Sequence, residues 1–100
     1  MILIEGTVTI DPSKLEDHRE AMQTMLEKSR AEEGCIEYAF SIDVLDPSIL
    51  RVNERWTDMA ALAAHGKSAH MADWREATKA MGASGRDIRM YIDPPEPKPL

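Results

Sequence analysis

Cysteine occurs once in this 100-residue sequence, at Cys35, which excludes a disulfide framework and a thiolate metal cluster. Nothing basic stands beside Cys35 to make it a reactive thiolate, so it is read as a small buried residue at a strand start. Long apolar runs are absent too. None approaches the roughly 20 residues of a membrane span. The apolar opening Met1–Ile4 is broken by Glu5 and Gly6, and lacks the basic flank of a signal peptide. A soluble, cytoplasmic protein without membrane contact is therefore expected. Positive charge is in deficit, 12 Lys and Arg against 18 Asp and Glu for a net charge of −6. The scattered cations argue against a nucleic-acid partner. There is no glycine-rich phosphate loop, dinucleotide fingerprint or motif-supported Ser-His-Asp set. The length suffices for one domain and one modest core.

What is present is a clear alternation of periods. Residues 2–10 alternate, with Ile2, Ile4, Gly6, Val8 and Ile10 opposite Leu3, Glu5, Thr7 and Thr9, which predicts a half-buried strand ended by Asp11-Pro12. Ser13-Lys14-Leu15-Glu16 fits a capping box. Leu15, His18, Met22, Met25, Leu26 and Ser29 then recur at helical spacing, and Gly34 suits the left-handed residue that closes a helix. Cys35–Asp43 and Ile49–Trp56 alternate again around the Asp46-Pro47-Ser48 turn, predicting an antiparallel hairpin. Thr57 or Asp58 caps a helix over Met59–His65. Gly66 interrupts it and Ser68 restarts it, with His70, Trp74, Ala77 and Met81 on one stripe. Gly82–Gly85 reads as a loop before a last strand containing Ile88, Met90 and Ile92.

The order β-α-β-β-α-β predicts an α+β, ferredoxin-like domain over residues 1–93, a four-stranded antiparallel sheet with helices on one face. Residues 94–100 form a proline-rich tail that cannot join a sheet ladder. Ile2, Ile4, Val8, Ile36, Tyr38, Phe40, Val52, Trp56, Ile88 and Met90 are expected to face the helices. Glu54 interrupts that apolar set and needs a partner or water. The other face, with Leu3, Ala39, Ile49 and Tyr91 among Glu37, Arg51 and other polar residues, is either solvated or packed on a second copy. Glu37 and Arg51 are expected to pair across the hairpin.

Chemistry concentrates between Val52 and Trp74. Glu54 and Trp56 share a strand face, and His65 and His70 follow at the helix corner. Trp56 is a core anchor, an aromatic wall for a planar ligand, or both. Glu54 either fixes a histidine ring or the start of the helix, or acts as a base. His65 and His70 lie five apart across a glycine, unlike the i, i+4 pair of a zinc helix, and no third ligand has suitable spacing, so no metal site is expected. His65, before Gly66, suits a helix end, whereas His70 shares the Trp74 stripe and is expected to face a pocket or the core.

Glu54-Arg55-Trp56 followed by L-A-A-H-G-K-S-A-H-M resembles the signature of the antibiotic biosynthesis monooxygenase family. The first strand ending before D-P, the E-E-G-C-I-E-Y junction and the acidic turn agree with it, and the resemblance runs from about Met1 to Ile92. It implies a dimeric α+β barrel, two ferredoxin-like protomers packed through their sheet faces, with a pocket between sheet and helices in each. It further implies oxidation of a small electron-rich aromatic, a quinol or polyketide phenol, by dioxygen without metal, haem, flavin or other cofactor. On that reading His70, His65 and Glu54 are the catalytic candidates, and Trp56, Tyr38, Trp74 and Val52 the substrate-binding ones. The fold also hosts isomerases, binding modules and haem-degrading enzymes. The last typically carry a first-strand asparagine where this chain has Gly6 and Thr7.

Overall fold

A computed structural model describes residues 1–100. Strands β1 (Ile2–Thr9), β2 (Cys35–Ile42), β3 (Ile49–Trp56) and β4 (Ser84–Ile92) form one antiparallel sheet in the order β2-β3-β1-β4. Helices α1 (Arg19–Arg30), α2 (Met59–Gly66) and α3 (Ala69–Ala80) complete the ferredoxin-like arrangement. The strands exist because β-branched and aromatic residues alternate with polar ones. Their period sends Ile2, Ile4, Tyr38, Leu50, Val52, Glu54 and Trp56 to the buried side. Met25, Trp74 and Met81 close the core from the helices.

Several boundaries differ from the sequence reading. The capping box does not form. Asp11 accepts the Ser13 N–H instead, at 3.0 Å, and opens two 3-10 turns that carry the chain to Arg19, where α1 begins. Proline at the first turn position favours this tighter start. Ile36 is not in the core but 55% exposed. Cys35 and Glu37 pair with the adjacent residues Trp56 and Arg55, so Ile36 is the extra residue of a bulge and Cys35 takes its inward place. Met90 is half-exposed. The fourth strand starts earlier than expected, at Ser84. Its register against β1 shifts between Thr7 and Thr9, and Gly85, at φ +56°, accommodates that irregularity. Glu37 pairs with Arg55 at 3.3 Å, while Arg51 turns to Asp43 at 2.9 Å. Register decides this, because Glu37 lies opposite Arg55 and Ser41 opposite Arg51.

The helix junctions follow the sequence closely. Asp58 caps α2 by accepting from Ala61 N–H at 2.8 Å, and Ser68 caps α3 by accepting from Met71 N–H at 3.2 Å. Ser68 also donates to the His65 carbonyl at 2.7 Å, which fixes the bend between α2 and α3. After α1 the chain reverses at Gly34, whose φ is +85° and whose carbonyl accepts from Thr57 N–H at 2.8 Å. A Cβ there would lie 2.6 Å from Ala61 Cβ and 2.7 Å from Thr57 Oγ1. Gly34→Ala should therefore destabilise the fold by about 1–3 kcal/mol in urea unfolding. Gly66, with open space around its would-be Cβ, should accept alanine with no loss or a gain of a few tenths of a kcal/mol to about 1 kcal/mol. Equal costs at the two positions would refute this account of the turn.

Candidate active site

Between the helix-facing side of the sheet and α2–α3 lies a cavity of about 840 Å³. Its floor is Ile4 and Val8 of β1, Leu50 and Val52 of β3, and Ile88 and Met90 of β4. Phe40 and Trp74, which both line it, stack on each other, centroids 4.7 Å apart and planes inclined by 17°, and Tyr38 meets Phe40 edge-on at 5.5 Å. Glu54 and His65 also line the cavity. An apolar, aromatic-walled slot with few convergent polar groups is what a small planar ligand requires.

Of the seven residues singled out from sequence, Tyr38, Val52, Glu54, His65 and Trp74 line this cavity. Trp56 and His70 do not. Trp56 is wholly buried, set edge-on to Tyr38 at 6.3 Å and tilted over His65 at 4.7 Å. Its Nε1–H donates to Glu54 Oε1 at 2.9 Å, so it is a core anchor that holds a carboxylate rather than a surface for a ligand. Residues two apart on a strand share a face, which makes this bond possible. Phe40, placed in the helix-facing set but not among the binding candidates, supplies the wall expected of Trp56.

His65 stands in the last turn of α2, the helix end expected of it, yet is 3% exposed and on the cavity. Its Nδ1 lies 2.7 Å from Glu32 Oε2. Because a carboxylate accepts, Nδ1 carries the proton, and in the neutral ring the lone pair is then on Nε2. His70 sits on the far side of Glu32, in a groove between α1 and α3. Its Nε2 is 3.1 Å from Glu32 Oε1, yet out of line for a hydrogen bond, and it is a buried polar atom without a partner. Glu32 is the residue that sequence reasoning missed. It stands 33 positions before His65, in the turn that Gly34 closes, and no local spacing connects them. The acidic pair before G-C was its only signal.

Burial raises the Glu54 pKa, opposed by the Trp56 hydrogen bond and by the nearby His65 and Arg86 side chains, and aided by Glu32. Burial likewise drives the Tyr38 phenol far up, with Glu54 reinforcing it, so Tyr38 remains a neutral hydroxyl. The Cys35 thiol is also pushed up, by burial and then by Glu32 and Glu54, and is inert.

The family model for antibiotic biosynthesis monooxygenases matches residues 1–77. The chain belongs to the antibiotic biosynthesis monooxygenase family. Two relatives agree. One is the uncharacterised Synechocystis protein sll1783, 30% identical over 90 residues, covering 90% of this chain. The chain spans 61% of that protein's length. The other is YcnE of Bacillus subtilis, which bears a provisional monooxygenase name and is 31% identical over 70% of this chain and 74% of its own. A Deinococcus radiodurans crystal structure, described provisionally as an antibiotic biosynthesis monooxygenase, superposes with a TM-score of 0.88. It covers 100% of this chain and 99% of its own at 20% identity, a likeness of fold. Within the family fold, no helix of this chain is long and apolar enough to cross a membrane.

A raised carboxyl pKa in the folded state favours folding at low pH, and that contribution is lost as pH rises through the folded value. Glu54→Gln, which keeps an acceptor for Trp56, should then melt above the wild type at pH 8. The gap should close as the pH falls toward and below 4.5, the ordinary glutamate value. A glutamine variant less stable than wild type at pH 8 would contradict the burial argument.

Proposed function

We propose that this chain is a monooxygenase-like enzyme that oxidises a small electron-rich aromatic, a quinol or polyketide phenol, with dioxygen and without a bound cofactor. The observation that carries the reading is the pairing of an aromatic slot with one oriented base: the stacked Phe40–Trp74 pair lines the slot, and Glu32 holds His65 in the tautomer whose Nε2 can accept a proton. Membership of the family supports the monooxygenase class.

In this scheme the substrate lies against the Phe40–Trp74 wall, and Tyr38 offers its hydroxyl as a hydrogen-bond partner. His65 Nε2 takes a proton from the substrate and leaves an electron-rich anion. One electron passes to dioxygen, and the radical pair collapses to a C–O bond, giving a hydroperoxide. For an anthrone-like CH₂, loss of the second C–H proton drives cleavage of the O–O bond. The outer oxygen leaves as water and the carbon becomes a carbonyl. The substrate supplies every electron, so no reductant is needed. Glu32 is a positioning residue. Glu54, adjacent to His65 and held by Trp56, stabilises the imidazolium that forms. His70, away from the cavity, has no direct part in this scheme.

An oxygen electrode with a panel of quinols and anthrones should register uptake by the wild type. His65→Ala should lower kcat by about 10²–10⁴-fold, the range lost with a general base. No uptake across the panel would overturn the reading, and product formed equally under argon would replace it with isomerisation.

The reading includes a homodimer joined through the sheet faces. All three helices and the cavity lie on one side, while Leu3, Ala39 and Ile49 on the other remain partly exposed and Tyr91 is 42% exposed. Glu37–Arg55 and Glu5–Arg89 ion pairs already match the charges around them. Stable interfaces bury about 1,200–2,000 Å² in total, within reach of one such face per partner. Sedimentation equilibrium at micromolar concentration should give twice the chain mass, and Ile49→Asp should shift it to monomer. A monomeric wild type, or a dimer indifferent to that substitution, would place the interface elsewhere.

A further inference from the structure

Glu32, His65 and His70 arrive from three different elements, the turn after α1, the end of α2 and the start of α3, and their donor atoms converge. Glu32 Oε2 is 2.7 Å from His65 Nδ1, Glu32 Oε1 is 3.1 Å from His70 Nε2, and no two donors are more than 4.8 Å apart. We propose that these three side chains form a binding site for a divalent transition ion of the zinc class.

The missing third ligand was the reason to expect no metal from sequence, and the fold provides it. Two imidazoles and one carboxylate are the donors that zinc, cobalt and nickel share. Ligands about 2.1 Å from one ion stand roughly 3.0–3.4 Å from each other, close to the two short separations here. The third separation closes by rotating His70, whose Nε2 has no hydrogen bond to hold it back. A buried donor atom with no partner, within reach of a carboxylate and a second imidazole, is otherwise an uncompensated cost. Access comes from the groove of about 390 Å³ between α1 and α3 that ends on His70. Asp17, Glu20 and Asp73 line it, with no lysine or arginine among its walls, so it attracts cations. An ion on His65 Nδ1 displaces the proton there, so binding releases protons and weakens as pH falls.

Titration of the full chain, without an appended histidine tag, with Co²⁺ should give visible d–d absorption saturating at one ion per chain and bleached by Zn²⁺. His70→Ala and Glu32→Gln should each weaken Co²⁺ binding at least about tenfold, while His18→Ala, outside the cluster, leaves it unchanged. His70→Asn provides a second substitution at a position that the core does not need, should Glu32→Gln perturb folding. Absence of the absorption, or undiminished affinity in both His70 variants, would overturn the site. The readout is binding rather than turnover. Because an ion on His65 Nδ1 leaves the remaining ring proton on Nε2, the loaded site and the base described above are alternative states of His65, and the oxygenase reading applies to the metal-free chain.

Discussion

The indole of Trp56 is the fixed point of this molecule. It has no exposed surface, closes the sheet between Ile2 and Cys35, and packs on both Tyr38 and His65. Its Nε1–H must find an acceptor once buried, and Glu54 must find a donor, so each removes a cost the other would carry alone. Replacing either with an apolar residue leaves the second unpaired in the core. That mutual need explains how a carboxylate can stand on an otherwise apolar sheet face. It also explains why the cavity has a polar end.

From that point the polar groups separate by environment. Burial lifts the Glu54 pKa, against the lowering pull of the Trp56 hydrogen bond. Glu32 stands at a half-open corner, where both oxygens face imidazoles. The two histidines differ as sharply. His65 is committed through one nitrogen to Glu32 and lines the cavity, whereas His70 is half-buried beside the same carboxylate with its Nε2 unpaired. Similar residues thus come to have different chemistry through burial and direction, not through type.

The local grammar of the chain was legible. Alternation located the four strands, Asp58 and Ser68 marked the helix starts, and Gly34 marked the reversal, because strand parity, capping bonds and a positive φ are properties of the chain within a few residues. Where the reading failed locally, a competing local effect won. Pro12 favoured a 3-10 turn over the capping box, and a bulge turned Ile36 outward and brought Cys35 in. A period of two cannot announce where one extra residue enters a strand.

Sequence by itself determined the ferredoxin-like order, the helix-facing apolar set and the oddity of Glu54 within it, since burial of apolar area and strand parity act along the chain. It determined as well that a carboxylate, an indole and two imidazoles would share one corner. Only the tertiary structure decided which of them meet. Glu32 reaches His65 from 33 residues away, Phe40 rather than Trp56 stacks over the cavity with Trp74, and His70 turns to the opposite side of the carboxylate. These assignments depend on how α1, α2 and α3 cross the sheet, and on side-chain directions in the packed core. Contacts between residues distant in sequence are fixed by that packing and leave no periodic trace in the chain.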